Sequence, residues 1–466
     1  MRNRAFHFRI FALAGFLLPV ALNAQQQSAT LNLSLKQAQE YALKNSVNAM
    51  NSVLDLEIAK KRVWETKAIG LPQINAQANY QHLFKVPELS LGGTTLLATN
   101  LPPGTTITSD DITNENVYME FTPSAPIPLG VKNNVTLDFT ISQLVFSGEY
   151  LIGVQGVKVY YQMADLRKKK TDLDLKETVA NSYTLALVLE QTRDVLNKSL
   201  ENTLKTLSDL KQMFQQGLIE NTDVDQIELV SLNLTNALSS MNRQIDATYD
   251  LIKYQMGIPF ADNIILTDKL ESIARTINLE SIVAAQFNIN NNLDYQMLTT
   301  SETISKMQLK LVKSAYLPSI SAVYLHTAQM NKPEFNFAPT DVFQVGMNIP
   351  IFSSGMRNVR VQQRQLELQK SINTTNDIAN GLQLQYINTR NELTTAYEKY
   401  LNDKKNIELT KRIYDKTLIK FNEGIATSRQ ITDDLNQYLT AQSNMYNSIF
   451  SVISAKNKLD KLNNNL

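Results

Sequence analysis

The chain contains no cysteine and only three histidines among its 466 residues. The absence of cysteine excludes disulfides, thiolate metal sites and an N-terminal lipidated cysteine. His82 and His326 fall on predicted strands, where we expect interfacial side chains rather than metal ligands. The sequence also lacks a nucleophile elbow, a phosphate-binding loop and a dinucleotide fingerprint. We therefore expect no catalytic residue, no metal and no cofactor.

Long apolar runs are also missing beyond the first residues. Arginines precede an apolar segment from Ile10 to Leu22, which is typical of a secretory signal peptide, and we expect removal of residues 1–24 by cleavage after Ala24. No later stretch is apolar enough for a transmembrane helix, so the exported chain is either soluble or inserted as β-strands. The net charge of +1 gives no reason to expect nucleic acid as a partner.

Proline is absent from two stretches of equal length, Gly148 to Gly217 and Gly355 to Gly424. Apolar residues in the first stretch recur every three or four positions, so we predict continuous helices. At a rise of ~1.5 Å per residue, each helix would be roughly 100 Å long. The segment after each closing glycine carries a similar apolar spacing, which favours antiparallel coiled-coil hairpins.

Four segments alternate between apolar and polar residues and are predicted as strands. Ile74 to Tyr80 and Val135 to Ile141 form the first pair, and Ile320 to Tyr324 and Phe343 to Ile351 form the second. Proline and glycine concentrate in the insertion 83–131, which we predict to be a long loop with short strands of its own.

The predicted elements follow one order twice: helix, strand, strand, long helix, partner helix. Leu71-Pro72 at the first strand recurs as Leu317-Pro318, and the same spacing pairs Leu33 with Leu279 and Ala38 with Ala284. We therefore predict a duplicated chain. Its first repeat covers 25–256, a linker covers 257–278, and the second repeat covers 279–466.

Four strands are too few to close a barrel, and lipid does not tolerate an open sheet edge. Strands that are apolar on one face and polar on the other have the transmembrane β pattern. If they span a membrane, several chains must combine, and three chains would supply twelve strands. The alternative is a small soluble sheet with one buried face.

The chain resembles the TolC family of outer-membrane efflux and secretion proteins. The resemblance rests on Leu33-Ser34-Leu35-Lys36-Gln37-Ala38, the paired Leu-Pro motifs, the Phe-Ser-Gly strand ends and the two tips that begin at Gly217 and Gly424. It implies a mainly α-helical fold with membrane β-strands. In that fold a homotrimer forms a twelve-stranded outer-membrane β-barrel that continues into a periplasmic α-helical barrel. It also implies docking to a periplasmic adaptor (membrane fusion) protein and an inner-membrane pump.

The resemblance further implies a gate at the tips. In the family, an aspartate of the first tip is tied to an arginine of the second, and two aspartates spaced three apart line the aperture. Asp223 matches the first position, but Ala426 stands at the arginine position and Gln430 replaces one aspartate. The implied periplasmic gate residues are Asp223, Asp225, Arg429, Gln430, Asp433 and Asp434. The implied adaptor-docking residues are Gly217, Leu218, Gly424 and Ile425.

A simpler interpretation of Asp223 and Asp225 is helix-dipole and capping chemistry after Thr222. For the whole chain, we predict an outer-membrane exit duct of a tripartite efflux or type I secretion system. Such a duct passively conducts substrate from a pump of the RND or ABC type, and it is not an enzyme. The alternative is an elongated soluble periplasmic coiled-coil scaffold that binds partners without a pore.

Overall fold

The computed structural model describes residues 30–89, 92–98, 102–106, 108–110, 117–123, 125–275, 277, 279, 282, 286–333, 336 and 338–466. Most of the described residues lie in helices. The predicted signal peptide 1–24 and Ala284, which was matched to Ala38, lie outside the described residues. The helices are α1 (Leu35–Asn45), α2 (Val47–Ala68), α3 (Gly148–Gln215), α4 (Asn221–Met256), α5 (Leu270–Arg275), α6 (Leu293–Ser314), α7 (Met356–Asn422) and α8 (Ser428–Leu462).

The strands fall into separate small sheets. The insertion 83–131 contains short strands, as its sequence predicted, and they pair only with one another. The strands are β1 (Thr30–Leu33), β2 (Gln73–His82), β3 (Glu88–Leu89), β4 (Gly92–Ala98), β5 (Val117–Pro123), β6 (Ile127–Pro128), β7 (Asn133–Ser147), β8 (Asn263–Leu266), β9 (Ser319–Gln329) and β10 (Asp341–Asn348).

The chain divides into two compact units. The first unit consists of residues 30–46, 179–275 and 407–446, and it contains both helical turns that we predicted as tips. The second unit consists of the described residues of 47–178, 277–406 and 447–466, and it contains the longest strands. Among the described residues, no helix combines the length and the apolar character needed to cross a membrane.

The first unit contains a parallel strand pair that the sequence did not reveal. β1 pairs with β8, which lies inside the predicted linker 257–278. Tyr183 is fully buried beside this pair, and its hydroxyl donates to the carbonyl oxygen of Leu33 at 3.0 Å. Asp268 adds a second contact near this strand pair: its carboxylate accepts from the amide of Leu35 at 2.7 Å. Burial raises the pKa of Tyr183 to about 12.

The second unit contains an antiparallel sheet with the strand order β10-β9-β7-β2. Its register aligns apolar residues in rows across the strands. One row runs from Ile74 through Ile141 and Tyr324 to Phe343. Because side chains alternate along a strand, the intervening polar residues share the opposite face. The alternation predicted from the sequence therefore produces a two-faced sheet.

Two details of this sheet differ from the expected regular alternation. The register of β7 against β9 shifts between Leu144 and Phe146, which places an irregularity at Val145 and brings Phe146 opposite Ile320. The last strand was predicted to reach Ile351 but ends at Asn348, because Asn348 pairs with Ser319, the first residue of β9.

Candidate functional site

The first tip begins where α3 ends with a left-handed glycine. Gly217 has φ of 72°, and its amide donates to the carbonyl of Phe214 at 2.9 Å. The amide of Leu218 donates to the carbonyl of Met213 at 3.0 Å. These two bonds form a Schellman motif, which ends a helix and satisfies its last carbonyls. The tip therefore needs glycine at 217, since a side chain would strain the left-handed backbone.

The second tip is built in the same way at the end of α7. Gly424 has φ of 73°, and its amide donates to the carbonyl of Phe421 at 2.9 Å. The amide of Ile425 donates to the carbonyl of Lys420 at 2.8 Å. In both tips the residue after the glycine is apolar, and its side chain is exposed: 65% for Leu218 and 74% for Ile425. The four residues predicted for adaptor docking thus occupy equivalent positions.

Gln430 has a capping role that its assignment to the gate did not anticipate. Its side-chain oxygen accepts from the amide of Thr427 at 3.0 Å, and the Thr427 hydroxyl accepts from the amide of Gln430 at 3.3 Å. This reciprocal pair is a capping box. The cap of α8 is therefore Thr427, the residue before the first helical residue Ser428. The pattern Thr427-x-x-Gln430 was visible in the sequence.

Ser428 instead connects the two tips. Only 3% of this residue is exposed, and its hydroxyl donates to the carboxylate of Asp223. The same hydroxyl lies 3.0 Å from the side-chain oxygen of Gln226. Asp223 and Gln226 both belong to the first turns of α4, whereas Ser428 is the first residue of α8. The partner of Asp223 in this chain is therefore the buried Ser428, whereas the resemblance implied an arginine at the second tip.

The other predicted gate residues lie on the surface and make local contacts. Nε of Arg429 lies 3.9 Å from the carboxylate of Asp433, with 84% and 63% of the two side chains exposed. Asp225 accepts from the amide group of Asn221 at 2.9 Å. Among the described residues, Arg429 forms no ion pair with Asp223. The structure thus brings Asp223 to Ser428, and it keeps Arg429 with Asp433 on one face of α8.

A hydrophobic core supports both tips. It combines residues from the end of α3, the start of α4, the end of α7 and the start of α8. Tyr414 and Tyr438 stack at its edge, with ring centroids 5.9 Å apart, and burial raises the pKa of both phenols. Its buried members are Leu207, Leu210, Val224, Ile227, Val230, Leu234, Tyr414, Ile431 and Leu435. This packing fixes the first turns of α4 and α8, which carry Asp223 and Ser428.

The four-stranded sheet of the second unit carries the other candidate surface. On its polar face, Asp138 accepts from Asn79 at 3.1 Å and from Thr327 at 2.8 Å, so polar groups of three strands satisfy one another. On its apolar face, Ile74 is 72% exposed and Phe343 is 70% exposed. A soluble protein rarely leaves a continuous apolar face uncovered, so this face requires an apolar partner.

The described residues contain no group of three or more potential metal ligands. His82 contacts Asn133 at 2.7 Å, and His326 contacts Asp341 at 2.8 Å. Each histidine therefore bonds to a residue of the neighbouring strand. His82 is exposed, and His326 is partly buried.

The amphipathic antiparallel sheet and the long, paired helices are shared with solved structures of outer-membrane proteins. The chain matches the outer membrane protein VceC of Vibrio cholerae at 13% identity and a TM-score of 0.67, covering 92% of this chain and 96% of VceC. It matches the outer membrane channel CmeC of Campylobacter jejuni at 14% identity and a TM-score of 0.68, covering 93% and 86%.

The third similar structure is the open state of the outer membrane channel MtrE of Neisseria gonorrhoeae. The identity is 12% and the TM-score is 0.67, with 92% of this chain and 88% of MtrE covered. No protein-family model and no curated protein sequence matches the chain. The resemblance predicted from the sequence is therefore confirmed as a shared fold.

Proposed function

We propose that this chain is the outer-membrane channel of a tripartite efflux or type I secretion system in a Gram-negative bacterium. The observation that carries the proposal is the two-faced sheet. One face is apolar and exposed, and on the opposite face polar side chains of neighbouring strands form hydrogen bonds with one another. That arrangement suits lipid on one side and an aqueous passage on the other. The fold shared with VceC, CmeC and MtrE supports the same function.

In this proposal the sheet closes by assembly. β2 and β10 are the two edges of the sheet, and open edges are not stable in lipid. Three copies would supply a twelve-stranded barrel, and the long helices would form the periplasmic part of the duct. We expect the purified protein to be a trimer in detergent. A monodisperse monomer by light scattering would exclude the duct.

The sheet orientation gives a second test. β2 follows helix α2 and β7 leads into helix α3, so the insertion between them lies at the end of the sheet opposite the helices. We place it outside the cell. A cysteine introduced as Thr105→Cys should react with a membrane-impermeant maleimide in intact cells. Reaction only after cell disruption would contradict this orientation.

For the tips, we propose gating and docking. The Ser428 to Asp223 bond joins the two turns of one chain and would hold them in a closed arrangement. Asp433, exposed beside Arg429, would line the aperture with its copies, with Asp225 and Asp434 adding negative charge. Exposed Leu218 and Ile425 offer apolar contacts for the hairpin of a periplasmic adaptor, which would connect the duct to an RND or ABC pump.

The alternative is a soluble periplasmic scaffold with the same helices. It would leave the apolar face of the sheet in water, where an exposed patch of this kind promotes aggregation. Membrane fractionation separates the two functions. A duct should stay in the outer membrane fraction after carbonate extraction, whereas a scaffold should be released.

A further inference from the structure

The alternation of apolar residues continues past the end of the last strand. Phe343, Val345 and Met347 share one face of β10, and Ile349 and Ile351 follow it at the same spacing. Between 56% and 92% of each of these residues is exposed. Backbone pairing of β10 ends at Asn348, so the last two lie beyond the part of the sheet that pairs within the described chain. Ile351, at 92%, is the most exposed of the five.

The extended end of β10 is held in place by an arginine. Arg357, in the first turn of α7, donates to the carbonyl oxygen of Pro350 at 2.7 Å. Its guanidinium carbon lies 5.5 Å from the ring centroid of Tyr316. The carbonyl that is bound lies between Ile349 and Ile351, so the two isoleucines are presented by a fixed backbone. Tyr316 is 47% exposed, so its amphipathic ring is available beside Arg357.

The two junctions from helix to strand are built alike and carry matched lysines. At the end of α2, the amide of Gly70 donates to the carbonyl of Lys67 at 3.1 Å. At the end of α6, the amide of Tyr316 donates to the carbonyl of Lys313 at 3.3 Å. Lys67 and Lys313 occupy the last turns of their helices and are exposed. Among the described residues, neither forms an ion pair.

We propose that Ile349, Ile351, Tyr316, Arg357, Lys67 and Lys313, the junction surface, contact phospholipid of the inner leaflet of the outer membrane. This inference rests on the proposed function. The isoleucines would enter the acyl region and the lysines would bind lipid phosphate, because apolar groups, aromatic rings and basic groups occupy these successive levels at a membrane interface. A second copy added at β10 would pair with the strand edge between Asp341 and Asn348, and both isoleucines lie beyond that segment.

The depth of the junction surface can be measured with a single tryptophan. The chain has one tryptophan, so Trp64→Phe provides the background for Val345→Trp, Ile351→Trp and Leu366→Trp, each tested separately. The proteins are reconstituted in vesicles of phosphatidylglycerol and phosphatidylcholine brominated either near the headgroup or in the middle of the acyl chain. We expect the Ile351→Trp protein to be quenched most by the shallow bromines, the Val345→Trp protein by the deep ones, and the Leu366→Trp protein by neither.

The outcomes separate the inference from the function on which it rests. Quenching of the Val345→Trp protein without quenching of the Ile351→Trp protein would keep the sheet in the membrane and overturn the lipid contact of the junction. A blue-shifted but unquenched Ile351→Trp emission would identify a second copy as the cover instead. If neither protein is quenched, the sheet is not in the membrane and both proposals fail.

The lysines need a separate test, because a lysine near a helix C-terminus also stabilises the helix dipole. We compare the melting temperature in nanodiscs of phosphatidylglycerol with that in nanodiscs of phosphatidylcholine. The variant Lys67→Gln with Lys313→Gln should lose most of the increase given by phosphatidylglycerol. The control, Lys60→Gln with Lys306→Gln, removes the same charge about 10 Å further along each helix and should retain the increase. An equal loss in both variants would exclude a specific phosphate contact.

Discussion

Replacement of Ser428 by alanine tests the contact between the tips. The change removes a hydroxyl that donates to the Asp223 carboxylate, in a site where only 3% of Ser428 is exposed. A hydrogen bond to a charged group contributes about 1.5–3 kcal/mol. If the bond exists only in the closed arrangement, its loss lowers the ratio of closed to open channels roughly 10- to 150-fold.

Single-channel recording in planar bilayers gives this ratio as open probability. Ser428→Ala and Asp223→Ala should each raise it. The double variant should raise it little more than either single change, because both remove the same bond. Ser451→Ala is the control, since that hydroxyl donates to the carbonyl of Asn447 within its own helix and makes no contact between the tips. Unchanged open probability in Ser428→Ala, with the melting temperature preserved, would refute the role of this bond in closure.

Three further predictions concern the tips and the first unit. Gly217→Ala and Gly424→Ala should each destabilise the chain by about 1–2 kcal/mol, measured as a lower melting temperature, because both glycines have positive φ. Asp433→Ala should weaken the cation preference in reversal-potential measurements, and Asp246→Ala should leave it unchanged. Equal selectivity in the two variants would show that Asp433 does not line the aperture. Because burial raises the pKa of Tyr183 from 10.0 to about 12, its neutral form stabilises the fold below pH 10. That stability should be lost as the pH rises to 12, and Tyr183→Phe should flatten the decline in melting temperature over this range.

The sequence alone predicted the long helices and the four longest strands. The pattern Ser34-x-x-Gln37 is a capping box that begins α1, with the Ser34 amide donating to the side chain of Gln37 at 2.9 Å. The long helices each end two residues before their glycine, at Gln215 before Gly217 and at Asn422 before Gly424. These elements follow from local rules, namely side-chain periodicity, proline exclusion and helix ends at glycine.

Tertiary structure decided which residues meet. The pairing of β1 with β8 joins segments far apart in the chain, and strands of four residues are too short for a clear periodic signal. The end of β10 was set by the first residue of its partner, although its own alternation continues to Ile351. The extent of a strand depends on a neighbour, so periodicity alone overestimated it.

The tips show the same division. The sequence located both turns, because a left-handed glycine after a helix is a local requirement. The sequence did not determine the partner of Asp223. That partner depends on how the buried residues of four helices pack together, because this packing decides which side of α8 faces the core. That packing buries Ser428 against Asp223 and leaves Arg429 in solvent beside Asp433. Ser428 and Arg429 are neighbours in the chain, and their side chains point in different directions only because successive residues are rotated around the helix axis.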